Sequence, residues 1–232
     1  MDLLTVGNPK TAKGIALGYH TAILHLAPSD LSGRDLCPFA SPACRAACLN
    51  TAGRGGIMKK GETTNAIQQA RLRRSRWFLD DRAGFIAALA KDIAAHVRQC
   101  ARLGVRPAVR LNGTSDIPWE RVAPELFAQF PDVTFYDYTK AEHRMTEKLP
   151  ANYSLTFSRS ETNGAALLRL PSTANVAVVF AKRLPDTFAG RRVINGDATD
   201  LRFLDPQGVI VGLLAKGKAK RDTSGFVIPF VA

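Results

Sequence analysis

Three cysteines crowd one short segment, Cys37-Pro-Phe-Ala-Ser-Pro-Ala-Cys44-Arg-Ala-Ala-Cys48, and the rest of the chain has only Cys100. Three thiolates close in sequence can grip one metal centre from a single loop. They cannot fill a four-coordinate site alone, whereas a structural zinc knuckle closes all four positions. Thiolates also hold the irons of iron–sulfur clusters, where one iron can keep an open or foreign fourth ligand. The expected group is therefore a [4Fe–4S] cluster on Cys37, Cys44 and Cys48. Zinc on the same thiolates is the alternative, with His20, His25 or Asp116 as fourth ligand; a loop without metal is the third reading. Ala40, Ser41, Ala43, Ala46 and Ala47 are small enough to let the backbone wrap closely and aim N–H groups at sulfur. Gly53-Arg54-Gly55-Gly56 follows, a stretch able to approach an anion closely. Cys100 falls on an apolar helical stripe and reads as a core thiol.

A second set of chemistry-bearing residues recurs where apolar runs end. Asn112-Gly113-Thr114-Ser115-Asp116 closes one run, Asp137-Tyr138-Thr139-Lys140 the next, and Ser158-Arg159-Ser160-Glu161 the third. Lys182-Arg183, Asn195-Gly196-Asp197 and Lys216 come later. In parallel α/β folds the carboxyl ends of the strands gather on one rim, where ligands bind. Asn112, Asp116, Asp137, Lys140, Ser158, Arg159 and Glu161 are therefore expected to line one cofactor-binding pocket that faces the cysteine loop. Carboxylates there can orient donors or take protons, and Lys140 and Arg159 can hold a carboxylate or phosphate.

The elements that must carry these residues alternate. Tyr19 to Leu26 reads as a strand that delivers the cysteine loop. Thr63 to Trp77 and Asp81 to Leu103 read as helices, the second with Ile86, Leu89, Ile93, Val97 and Cys100 on one stripe and Gly104 as its stop. Strands follow at 106–111, 133–138, 153–157, 176–181, 192–194 and 209–214. Helical segments are expected at 119–130, 141–149 and 162–170. About seven strands in such alternation predict right-handed βαβ units and a mostly parallel sheet. The expected fold is α/β, a partial (β/α) barrel of about six to seven strands with the cysteine loop after the first. One domain spans residues 1–232, with the metal-binding loop at 37–56.

With 46% hydrophobic and 22% charged residues the composition is that of an ordinary globular protein. No apolar run is long enough to span a bilayer, and the first residues lack the basic and apolar regions of a signal peptide. A cytoplasmic location is expected, where clustered thiols serve as ligands or redox groups rather than as disulfides. The formal charge of +12 favours a polyanionic partner, either nucleic acid or a phosphorylated ligand. The densest basic stretches are Arg71 to Arg76 and Lys216 to Arg221. A solvated basic surface without a dedicated partner explains them equally well.

Two resemblances attach to these motifs. Gly7-Asn8-Pro9-Lys10-Thr11, the CP-x5-C-x3-C loop and the basic helix ending Arg73-Arg74 resemble phage-encoded gene-product-88-like proteins and related prophage proteins. So do Arg110 to Asp116, Phe135 to Lys140 and Leu155 to Glu161. That resemblance covers most of the chain and implies a phage protein in the cytoplasm of a bacterial host. The second is architectural. A partial barrel with three cysteines after its first strand resembles the radical S-adenosylmethionine enzymes, although C-x6-C-x3-C departs from their usual C-x3-C-x2-C. It implies S-adenosylmethionine on the fourth iron and an electron donor as partner. By position, Asn112 to Asp116 would meet the methionine amino group and Ser158 to Glu161 the ribose. The alternative is a non-enzymatic iron–sulfur protein in electron transfer, redox sensing or nucleic-acid binding.

Overall fold

The computed structural model describes residues 2–7 and 9–229, with backbone only at 9 and 10; Asn8 of the Gly7 to Thr11 motif lies outside the described residues. The expected alternation builds one open sheet. Its strands are β1 (Leu4–Thr5), β2 (Tyr19–Leu24), β3 (Arg106–Arg110), β4 (Thr134–Thr139), β5 (Tyr153–Ser158), β6 (Val176–Phe180), β7 (Thr187–Phe188), β8 (Arg191–Asn195), β9 (Ile210–Leu214) and β10 (Val227–Ile228). They lie in the order β1-β2-β3-β4-β5-β6-β9-β8-β7, and β10 also pairs with β6. β1 with β2 and β7 with β8 are antiparallel; every other pairing is parallel. The fold class is thus α/β with a mostly parallel sheet that does not close into a barrel.

β5 leaves β6 after the Ser158–Ala177 pair, and β10 takes the freed edge at Val179 and Phe180. That parting of neighbours opens the sheet at the carboxyl end of β5, where Lys140, Ser158 and Phe226 meet in one cavity.

Among the described residues six helices accompany the sheet: α1 (Pro9–Ile15), α2 (Pro42–Ala46), α3 (Ala66–Asp80), α4 (Arg82–Leu103), α5 (Trp119–Val122) and α6 (Pro124–Gln129). Asn65 caps α3 by accepting from the Gln68 N–H at 3.0 Å, and Asp81 caps α4 by accepting from the Gly84 N–H at 2.9 Å. Gly104 ends α4 in the left-handed conformation (φ 66°), which only glycine adopts without cost. The buried face of α4 is Phe85, Leu89, Ile93, His96 and Cys100. Ile86 and Val97 of the expected stripe lie at its partly buried margin.

This face packs on one side of β2 to β5 with Leu24, Val109, Leu111, Trp119 and Phe135. The single helix expected over 119–130 is two short ones. Ala123 leaves helical geometry (φ −149°, ψ 60°), because Pro124 disfavours a helical residue before it. The helical segments expected at 141–149 and 162–170 are short 3₁₀ turns at Glu142–Met145 and Gly164–Leu168.

The opposite side of the sheet is polar where the helix side is oily. Residues alternate across a strand. Arg110 and Tyr138 therefore face away from α4, and Tyr136 does so with Asp200 and Thr21 as hydrogen-bond partners at 3.3 and 3.4 Å. Leu201 and Phe203 return over this side, Leu201 packing with Tyr19 and Tyr136 and the Phe203 ring meeting both of theirs edge-on. Among the described residues no helix is long and apolar enough to cross a membrane.

Candidate metal centre and cavity

The carboxyl ends of β2, β3, β4 and β5 converge on one cavity of about 420 Å³. All three clustered cysteines line it, with Asn112, Gly113, Thr114, Ser115, Asp116, Lys140 and Ser158. His25, Arg71, Arg110, Tyr138, Thr139, Asp197, Asp200 and Lys216 complete its polar lining. A volume of this size suits a small organic ligand, well beyond a bare ion.

The cysteine loop is tied down at each thiol. The Leu36 carbonyl accepts from the Asp116 N–H at 2.8 Å, docking the loop on the end of β3. The Cys37 N–H donates to Asp35 Oδ1 at 2.8 Å, and Asp35 pairs with Arg45 at 2.7 Å. Cys37 Sγ lies 3.7 Å from the Thr114 carbonyl. Cys44 rides on α2, whose Ser41 cap accepts from the Cys44 N–H at 3.2 Å. Glu161 grips the same turn, accepting from the Ser41 hydroxyl at 2.7 Å and the Ala43 N–H at 3.0 Å. Cys48 Sγ accepts from the Asn50 N–H at 3.5 Å. Asn50 in turn accepts from Arg71 at 2.7 Å, so α3 buttresses the third thiol.

The glycine-rich stretch serves packing. A Cβ at Gly55 would stand 2.7 Å from the Asn50 carbonyl oxygen, and one at Gly56 would stand 2.2 Å from that of Thr51. Asn65 and Gln68 donate to the Gly55 carbonyl at 3.1 and 2.7 Å. These glycines permit close backbone contact beneath the thiols, and Gly53–Gly56 forms a 3₁₀ turn rather than an open anion loop.

Electrostatics in the cavity are those of crowded thiols among cations. Burial, with Cys48, Asp116 and Cys44 nearby, pushes the Cys37 thiol up to about 12. Burial also raises Cys48, with Cys44 adding to the rise, while Arg71 and Lys140 favour its thiolate. A metal cation among the sulfurs would reverse both penalties. Burial, together with Arg71, Arg110 and Arg74, pushes His25 down to about 3, so its imidazole is neutral; Nδ1 lies 3.1 Å from the Thr5 hydroxyl. Lys140 donates to Ser158 Oγ at 2.7 Å.

The seven rim residues divide by role. Asn112, Asp116, Lys140 and Ser158 line the cavity; Asp137, Arg159 and Glu161 stand behind it. Asp137 sits on the helix side of β4, one residue out of phase with Tyr138. It is fully buried and accepts from the Asn112 N–H at 2.8 Å and the Tyr153 hydroxyl at 3.1 Å. Asn112 is itself committed, accepting from Ile117 N–H and Trp119 Nε1 at 2.9 and 3.2 Å. Asp116 accepts from the Lys140 N–H at 2.8 Å and from Arg144 at 2.9 Å. Arg159 donates to the Gly225 and Phe226 carbonyls and pins the segment that enters β10.

Of the proposed fourth ligands, Asp116 is thus occupied. His20 lies at the far end of β2 among α4 residues and faces no loop cysteine. His25 stands in the cavity. The basic run of α3 is divided too. Arg71 is buried in the cavity wall and Arg74 donates to the Asp2 carbonyl at 2.8 Å, while Arg73 and Arg76 are exposed.

Arg110, Tyr138, Arg71 and Asp200 line the cavity beyond the seven residues expected there, although Tyr138 stands within one of the strand-end clusters. The first two were accessible from alternation, since Arg110 and Tyr138 fall one residue out of phase with the core residues Val109 and Phe135 of their strands. Arg71 and Asp200 arrive from distant segments and carry no local signal.

A family model described as Gene product 88 matches residues 2–229. No curated protein and no solved structure matches the chain.

Proposed function

The chain belongs to the Gene product 88 family, and we propose that it is an iron–sulfur protein holding a [4Fe–4S] cluster through Cys37, Cys44 and Cys48. One observation carries the reading: three thiols from a tethered loop share a cavity with the carboxyl ends of four parallel strands. The donor set fits the group. Three thiols and a neutral imidazole are soft and borderline ligands, suited to iron–sulfur or zinc and ill suited to magnesium or calcium. Asp116, a carboxylate that lines the cavity with the thiols, is held by Arg144 and the Lys140 N–H. The cavity also exceeds what a closed metal knuckle needs.

The enzyme reading follows from that spare volume. A cluster held by Cys37, Cys44 and Cys48, with S-adenosylmethionine beside it and an electron from a donor protein, would supply one-electron reductive chemistry. The chain's own part is binding and positioning. Lys140 and Ser158 form the polar pair at the mouth of β4 and β5, suited to a carboxylate or hydroxyl. Arg71 and Arg110 offset negative charge deeper in the cavity. Asp137, Asn112 and Glu161 hold the loops that carry these groups.

A second reading, a non-enzymatic iron–sulfur protein, is favoured by His25. A neutral imidazole in the cavity can close the fourth position and leave electron transfer or sensing. Its nucleic-acid form draws on exposed Arg73, Arg76, Lys218 and Lys220.

The two separate in the reduced, reconstituted protein. Added S-adenosylmethionine shifts the electron paramagnetic resonance spectrum if the iron is open, and dithionite then yields 5′-deoxyadenosine. An unchanged spectrum at saturation, together with a spectrum altered by His25→Ala, transfers the assignment to the second reading.

A further inference from the structure

At the far end of β2, a strand of 6 residues about 20 Å long at about 3.3 Å per residue, three metal-ligating side chains face one another. His20 projects from β2 toward α4, and His96 and Cys100 lie one helical turn apart on α4's buried face. Their ligand atoms all lie within 4.8 Å of one another. His20 is 7% exposed, His96 4% and Cys100 0%.

The spacing suits a shared ion. Cys100 Sγ lies 3.6 Å from His96 Nε2 and 4.0 Å from His20 Nδ1. An ion bonded at about 2.3 Å to sulfur and about 2.0–2.1 Å to nitrogen, in tetrahedral or trigonal geometry, separates those donors by roughly 3.5–3.8 Å. The Cys100–His96 separation already fits, and side-chain rotations that move donor atoms by up to about 1 Å bring the remaining pairs, all within 4.8 Å, to such spacings.

The surroundings favour the two imidazoles as neutral donors, while burial keeps the Cys100 thiol protonated until a metal displaces its proton. Burial disfavours the charged form of both imidazoles. The His96 ring meets two backbone carbonyls, that of His20 at 3.0 Å from Nε2 and that of Ala108. A neutral imidazole has one N–H to give. An ion at one ring nitrogen leaves the other N–H for a carbonyl, the arrangement that fixes ligating histidines.

We propose that His20, His96 and Cys100 form a second, buried metal site for a single d¹⁰ ion, zinc or copper(I), that ties α4 to β2. Binding replaces the Cys100 thiol proton, which leaves to solvent, with a metal–sulfur bond; no oxidant or reductant is needed. With one thiolate and two neutral imidazoles, copper(I) gives a neutral trigonal site. Zinc gives a site of charge +1 and takes the His20 carbonyl or a water as a fourth donor.

The test compares the full chain with Cys100→Ser, both stripped of metal and handled without oxygen. Co²⁺, as a spectroscopic stand-in for zinc, and Cu⁺ are titrated separately. The wild type binds one equivalent more than the variant of at least one ion, with a thiolate charge-transfer band that the variant lacks. A surplus of Co²⁺ identifies the divalent site and a surplus of Cu⁺ alone the monovalent one. Equal stoichiometry in two folded proteins overturns the site. Should Cys100→Ser fail to fold, X-ray absorption of the Cys37→Ser/Cys44→Ser/Cys48→Ser chain loaded with one equivalent decides. One sulfur and two imidazole nitrogens around the ion support the proposal; no bound ion, or a shell without sulfur, overturns it.

Discussion

The two ends of β2 each present thiols among histidine and backbone donors, and they differ in what surrounds them. At the carboxyl end, three cysteines on a tethered loop face an open cavity and four cationic side chains, Arg71, Arg110, Lys140 and Lys216. At the amino end, one cysteine on a long helix sits in packed core beside two imidazoles. Acidity does not separate them. Burial pushes Cys37 up to about 12 and Cys100 up to about 11. The number of neighbouring donors and the free volume in front of them do. A rim built from loops and buried charge can host a ligand and change it. A site built into α4 and β2 can only hold an ion and brace the core.

The largest effect that breaks the contrast is expected at Arg144. Its guanidinium is buried and bonded to Asp116 at 2.9 Å and to both Glu120 oxygens at 2.8 and 2.7 Å. Arg144→Ala strands two carboxylates beneath the rim and costs about 3–5 kcal/mol in urea unfolding. Metal retention falls with it, because Asp116 anchors the loop at Leu36.

Leu89→Ala removes a fully buried side chain from the α4 core at a cost of about 2–5 kcal/mol. Iron content at the loop stays at the wild-type level in the folded fraction. Loss of iron here would show that the two ends are not independent.

Glu161→Ala is expected to cost only about 1–3 kcal/mol, the price of unpairing the Ser41 hydroxyl and Ala43 N–H. Its effect on the metal is larger than its effect on the fold. Metal affinity falls roughly 10–100-fold, as for other groups that orient ligands, read by competition with a chelator.

The smallest effect is a titration. Burial pushes Asp137 up to about 7, against the lowering pull of Arg110, the Asn112 N–H, Arg144 and Tyr153. The folded protein therefore binds more proton than the unfolded chain, whose Asp titrates near about 3.9. That contribution to stability is full below about pH 4 and is lost as pH rises toward 7. Asp137→Asn flattens the stability curve across this window, measured by urea unfolding at several pH values.

Much of this contrast was legible in the residues. Apolar runs ending in polar clusters marked β3, β4 and β5, and the cysteine spacing marked the loop. Period-two alternation already separates Asp137 from Tyr138, yet a cluster read as a unit hides which side chain points where. Other features had no local signature. β1, β7 and β10 are two-residue strands whose existence depends on a partner edge. The segments at Glu142–Met145 and Gly164–Leu168 hold helical composition in too few residues to sustain an α-helix between sheet ends. Arg144, an ordinary basic residue in sequence, becomes the centre of the rim only because Asp116 and Glu120 arrive from the stretch after β3 and Tyr153 from β5.

The central claim is that Cys37, Cys44 and Cys48 hold an iron–sulfur cluster. It is tested most directly by purifying the chain without oxygen and assaying iron and acid-labile sulfide. The account predicts brown protein with about four irons and about four sulfides per chain for one [4Fe–4S] unit, bleached by Cys44→Ser and unchanged by Cys100→Ser. Stoichiometric zinc at the loop with no acid-labile sulfide would contradict it.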